Sequence, residues 1–214
     1  MPGDTQHLGG FAGRDERLPF MRELILDEAD QQLRLGGFAE LNFASIADAL
    51  EITRANIHYH FGSKAELALA ATERYTDESL QSMRGILDSY PRDLPTALVA
   101  IESAIIERVK SRGARQTCIC SQLIRDSTAP AELRDHARSF FEAKHEMLRA
   151  ATTESVDAEV LKEDVDVERF TTMAMAMLMG LDQQAMVADD PLAFAARARG
   201  VVSVWVEPYR ASAT

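Results

Sequence analysis

Three groups of side chains in this 214-residue sequence have types and spacings that could do chemistry. Cys118 and Cys120 offer two thiols, enough for redox sensing but half of a zinc set, and no close His completes one. Their i,i+2 spacing places them on opposite sides of a helix, where buried small residues are the expected role. Glu142-Ala-Lys-His145 has the Glu-x-x-His spacing of a di-iron carboxylate bundle. That chemistry needs a second Glu-x-x-His and two further inward carboxylates, and no second copy occurs. The third group runs from Thr53 to Lys64. Arg54 suits guanine, Asn56 suits adenine, and Thr53 and Tyr59 suit the sugar-phosphate backbone, with His58 exposed beside them. Between Ile52 and Ala65 there is no carboxylate, so Arg54 and Lys64 leave this edge locally positive, and His58 and His60 add charge at lower pH.

These residues need rigid elements under them. Thr53 can cap a short helix, Arg54 to Tyr59, anchored by Ile57 and Phe61. About two residues before it ends another short helix, capped by Asn42 and carrying Ile46, Ala47 and Leu50 inward. Two such helices of about two turns are not stable alone. They need each other and a first helix, expected from about Arg17 to Leu35 and stopped by Gly36-Gly37. The arrangement is a helix-turn-helix. Ser63 can cap a long fourth helix reaching Ser89.

Downstream, apolar periodicity and the placement of Pro and Gly predict five more helices. They span about Thr96 to Lys110, Cys118 to Arg125, Pro130 to Thr153, Asp166 to Ala188, and Pro191 to Val206. On the seventh, Leu133, Ala137, Phe140, Lys144 and Leu148 share a face. The expected fold is all-α, about nine helices. Residues 1–13 read as a mobile arm, 14–64 as a helix-turn-helix head, and 65–214 as a helical body.

Composition sets the outer limits. The sequence is 46% hydrophobic and 27% charged, which excludes a wholly disordered chain. Two cysteines exclude a disulfide-framed scaffold and suit a reducing cytoplasm. No signal peptide is visible, and the apolar run Thr172 to Leu181 is too short to span a bilayer. The net charge of −11 argues at first sight against nucleic acid. Even residues 14–64 hold six basic and nine acidic side chains, so attraction to DNA must come from the local edge.

The head resembles the TetR/AcrR family of bacterial transcriptional regulators. The resemblance is carried by Ile25-Leu26, Ala29, Leu33, Gly37-Phe38, Ile46-Ala47, Ile57-His58-Tyr59-His60-Phe61-Gly62-Ser63-Lys64 and Glu66-Leu67. It implies that the helix from Thr53 enters the major groove, with Thr53, Tyr59 and His60 on backbone and Lys64 near a phosphate. Arg54, Asn56 and His58 are then the candidates for base reading. Two positions depart from the family pattern. Leu50-Glu51-Ile52 stands where Ala-Gly-Val is usual, and a left-handed Glu51 costs roughly 1–2 kcal/mol more than Gly. His58 stands where the family has an aromatic residue.

The eighth helix is apolar on most sides and so must be buried on most sides. The resemblance implies that the eighth and ninth helices form a homodimer interface, here with Phe170, Met177, Leu181, Val202 and Trp205. It also implies an effector pocket, for which Phe140, Phe141, Met147, Met173 and Met177 are candidate linings. The expected protein is a cytoplasmic repressor of a palindromic double-stranded DNA operator, released by a small molecule, with no membrane, metal or cofactor and no catalysis. The alternatives are an effector-independent nucleoid or division factor of the same fold and a helical-bundle metalloenzyme.

Overall fold

The computed structural model of the chain describes residues 14–113, 118–188 and 190–211, and the arm expected at 1–13 lies outside them. The head consists of α1 (Arg14–Glu40), α2 (Phe43–Ala49) and α3 (Arg54–Phe61), followed by the long α4 (Lys64–Ser89). The body adds α5 (Leu94–Arg112), α6 (Ile119–Arg125), α7 (Ala131–Asp157), α8 (Val167–Val187), α9 (Pro191–Ala198) and α10 (Val201–Val206).

Most helix starts follow from a side chain that satisfies amides left without an intrahelical partner. Asn42 accepts from the Ala44 N–H, Thr53 from Asn56, Asp93 from Thr96 and Asp166 from Arg169. At α4, Ser63 and Glu66 form a reciprocal capping box. Helix α5 begins at Leu94 rather than Thr96, because Pro95 is tolerated in a first turn. Helix α7 runs four residues beyond the expected Thr153. The ninth helix expected from sequence is interrupted at Arg199 and Gly200, where Gly200 adopts φ +82°. The buried Glu102 carboxylate on α5 meets the reopened N-terminus, accepting from the Val202 N–H at 3.3 Å.

One apolar core runs from the head into the body. Ile25, Leu26, Ala29 and Leu33 of α1 pack in the same buried cluster as Ile57, Phe61 and Leu67, and with Ile119, Leu123 and Leu133 beyond the head. A second cluster joins α5, α8, α9 and α10 around Leu98, Phe170, Phe194 and Val202. Helix α4 reaches both, through Leu67, Ala68 and Ala71 at one end and Met83 at the other.

Two turns fix the head's geometry. The helical path of α1 breaks at Gly36 and Gly37, with Gly37 at φ +71°. The Asp126 carboxylate, from the segment after α6, then accepts from the Ala39 N–H at 2.8 Å. A Cβ on Gly37 would stand 3.0 Å from that carboxylate, so glycine is required both for the torsion and for the close approach. Burial pushes the Asp126 carboxyl up, but hydrogen bonds from Thr128 and from the Ala39, Thr128 and Phe38 amides outweigh it and hold it below the usual carboxylate range.

The second turn joins α2 to α3. Glu51 takes φ +54°, the left-handed conformation that the sequence comparison with Gly raised. The Ile52 N–H donates to the Ala47 carbonyl at 2.9 Å, and the Glu51 N–H points to the Asp48 carbonyl at 3.4 Å. These bonds close α2 as a Schellman-type cap despite the Cβ penalty at Glu51.

Glu51→Gly is therefore expected to stabilise the chain by about 1 kcal/mol, since relief of the torsion outweighs the entropy glycine adds to the unfolded chain. For a domain of this size the melting temperature should rise by about 2–4 °C. An unchanged or lower value would show that the turn stores no strain. The Asp126 clamp should hold above the ordinary carboxylate range and be lost as pH falls through its depressed value. Asp126→Ala should remove it at neutral pH, seen as lost hydrogen-exchange protection at Ala39; full protection in that variant would refute the clamp.

Candidate nucleic-acid interface and cavity

Helix α3 presents a polar face because only Ile57 and Phe61 are drawn inward. Thr53, Arg54, Ala55, Asn56, His58 and Tyr59 are exposed, and Tyr59 is 73% exposed. Arg54 has no ion-pair partner among the described residues, which leaves its guanidinium available to an incoming acceptor. Asn56 is partly committed. Its Oδ1 accepts the Thr53 hydroxyl at 2.9 Å, and its amide N–H donates to Thr53 Oγ1 at 3.3 Å. The carboxamide NH2 and a second lone pair on Oδ1 stay open, the pair that adenine recognition uses.

Other predicted residues have duties inside the head. His58 Nδ1 lies 2.7 Å from the Gly62 carbonyl oxygen, and its ring meets Phe43 edge-on at 4.9 Å. His58 thus packs in the manner of the aromatic residue it replaces. His60 is half-buried, with its ring 5.3 Å from that of Tyr59. Lys64 sits in the first turn of α4, its Nζ 4.5 Å above the Phe38 ring and 3.5 Å from the Ala39 carbonyl. Gly62 has φ +66°, and a Cβ there would collide with Glu66 Oε2, so this glycine also protects the capping box of α4.

Arg22 and Arg34 of the head and Arg74 of α4 are already engaged. Arg34 grips Asp30 through two nitrogens at 2.5 and 3.0 Å and lies over the Tyr75 ring. Arg74 pairs with Glu23 and Asp27, and Arg22 lies over the Phe61 ring. Among the described side chains, the positive charge on this face that no carboxylate pairs is therefore at Arg54 and Lys64.

In the body, α4, α5, α7 and α8, with Arg34 of α1 and Cys118 and Ser121 at α6, line an open cavity of about 640 Å³, in the size range of small-molecule sites. Met83, Ile101, Ile105, Phe141, Met175 and Leu178 supply its apolar wall. Of the five pocket candidates read from sequence, the structure places Phe141 on this wall. Phe140 is buried beside it in the core, and Met147 lines a separate recess of about 380 Å³. Met173 is 43% exposed near the Tyr209 hydroxyl, and Met177 packs against the second core. Sequence periodicity missed Met83, Met175 and Met179 because a cavity wall is assembled from several helices at once.

The cysteines require a correction. They do not lie on opposite sides of a helix, because Cys118 has extended torsions and precedes α6 as its cap residue. Both are buried, and the two thiols hydrogen-bond. That bond, helped by Tyr75 and opposed by burial, holds the Cys118 thiol below the ordinary range, while Cys120 is pushed up. Cys118 also lines the cavity. Glu142 is exposed, and no cluster of three His, Cys, Asp or Glu that could hold a metal occurs among the described residues.

The residues named for a dimer interface fall mainly within the subunit. Phe170, Leu181 and Val202 are buried, and Phe170 stacks on the half-buried Trp205 at 4.9 Å. The outer face of α8 instead exposes Thr172, Met173, Ala176, Met179, Gln183 and Val187, with Arg169 at its N-terminal end. Leu192 on α9 and Val204 on α10 are also exposed, by 68% and 77%. No helix among the described residues is long and apolar enough to cross a membrane.

Comparisons with known proteins agree with this geometry. Residues 25–71 match the family described as bacterial regulatory proteins, tetR family, and residues 95–201 match the tetracyclin repressor-like, C-terminal domain. A search of curated proteins returns no match. Among solved structures, a TetR-family transcriptional regulator from Agrobacterium tumefaciens superposes with a TM-score of 0.79 at 20% identity, over 91% of this chain and all of that one. A TetR transcriptional regulator from Chloroflexus aurantiacus gives 0.77 at 18% identity, over 92% of this chain and all of its own. A putative transcriptional regulator from Saccharomonospora viridis, in complex with choline, gives 0.74 at 20% identity, over 91% and all of the two chains. With both its head and most of its body matched in order, this chain belongs to the TetR family of bacterial transcriptional regulators.

Proposed function

We propose that the chain is a homodimeric, cytoplasmic repressor whose α3 helices read a palindromic operator and whose body releases the DNA when a small molecule enters the cavity. DNA reading belongs to residues 14–64, and ligand response and dimerisation to residues 65–214. The observation that carries the reading is the exposed, carboxylate-free face of α3, with an unpaired Arg54 at its first turn. Arg54 and Asn56 are the base-reading residues. Thr53, Tyr59 and His60 stand toward the backbone, and Lys64 beside a phosphate at the α4 N-terminus. His58 supports α3 by packing on Phe43.

A dimer is supported by the exposed apolar side chains of α8, α9 and α10, Met173, Met179, Val187, Leu192 and Val204, of the kind that a partner subunit covers. A two-fold pair places two α3 helices on half-sites one helical turn apart or a multiple of it. Ligand and DNA then favour different arrangements of the same dimer, and each weakens the other's binding by the same factor.

Selection of bound duplexes from a random DNA pool should return an inverted repeat. Against that repeat, Arg54→Ala should cost about 1–3 kcal/mol of specific binding if the guanidinium meets guanine; unchanged affinity would remove Arg54 from base reading. Val204→Asp alters a side chain 77% exposed in the subunit and should leave helicity intact. In light scattering it should give monomers with weakened operator binding, and an intact dimer would place the interface elsewhere.

A further inference from the structure

The cavity holds one cation, Lys144, that no carboxylate among the described residues pairs with, and the lowered Cys118 thiol on the same wall is its nearest source of negative charge. Lys144 lines it from α7, and its Nζ lies 4.6 Å from the Phe140 ring centroid. No carboxylate among the described residues lies within ion-pair distance of it. The nearby charges are already engaged: Asp182 pairs with Arg108 across the cavity, Arg34 with Asp30, and Glu107 at the rim with Lys110. Glu78, the other carboxylate lining the cavity, is exposed. Burial pulls the Lys144 ammonium down from the usual lysine range, with Cys118 and Asp182 pulling the other way. Lys144 is half-buried on a wall of mixed apolar and polar side chains, and a ligand anion would supply the carboxylate partner that the described residues do not.

We propose that the cavity binds an amphipathic organic anion, its carboxylate or similar acidic group paired with Lys144 and its hydrocarbon part laid on Ile101, Ile105, Phe141 and Leu178. The proposal rests on the reading of this cavity as the effector site and specifies the chemistry of its ligand. Phe140 stabilises the lysine weakly while the site is empty. Ser121, also on the wall, offers a hydroxyl donor to a second oxygen of the anion.

The test is calorimetry on the full-length dimer with decanoate and with 1-naphthoate, each beside its uncharged primary amide. At least one carboxylate should bind ten-fold or more tightly than its amide. Lys144→Met should abolish that preference, and Lys144→Arg should keep it, which separates loss of charge from loss of folding. Equal binding of acid and amide, a preference surviving in Lys144→Met, or no binding by either acid would overturn the proposal. Operator release, measured separately, tests the underlying effector reading. Lys144-dependent binding that leaves the operator complex intact would sustain the anion site and reject the effector role. Release by uncharged compounds that act equally on the wild type and Lys144→Met would do the reverse.

Discussion

The position of the DNA-facing helix depends on one packing arrangement: α1 is held by apolar contact on α4 and α6 at the same time. Leu33 and its neighbours share a buried cluster with Leu67 on one side and Ile119 and Leu123 on the other. Helices α2 and α3 have seven and eight residues and cannot hold their shape alone, so their orientation is inherited from α1 and α4. Interiors packed at this density transmit displacement instead of absorbing it. A shift of α6 against α7 must therefore reach α1, and the Asp126 bond to the Ala39 amide adds a directional link at the point where α1 turns toward α2.

The same economy governs charge. The head is acidic in sum, and Arg22 and Arg34 are occupied by its own carboxylates and by aromatic rings, while Arg74 of α4 pairs with Asp27. Exposed pairs of this kind contribute little to stability. Their larger effect is to withdraw cations from long-range attraction to phosphate. Among the described side chains of the head, Arg54 remains, with Lys64 resting on Phe38 close by. Such a surface discriminates by contact more than by field, which is the behaviour expected of a protein with little affinity for random DNA.

Much of the fold was legible because local chemistry dictates it. Asn42, Thr53, Ser63 and Asp166 cap helices where their side chains suit that role, and the double glycine ends the regular part of α1. The left-handed Glu51 was also readable, as a residue standing where glycine is easier. Features set by several segments together were not. Periodicity placed Lys144 on the inner face of α7, but only the assembled body shows that this face borders a cavity and that no carboxylate answers the lysine. Likewise the apolar content of α8 signalled burial on most sides without distinguishing the side covered by Trp205 from the side left open. The cysteine pair misled because residue spacing assumes a continuous helix, and Cys118 lies just outside one.

Trp205 is the chain's single tryptophan. Its indole stacks on Phe170 and sits 5.8 Å from the Tyr209 ring, and its Nε1 is buried without a hydrogen-bond partner among the described residues. Indole emission is sensitive to the polarity around that nitrogen, so the protein carries its own fluorophore at the junction of α8 and α10. Rearrangement of the body can then be followed optically in the unlabelled chain, at one site whose spectrum needs no deconvolution.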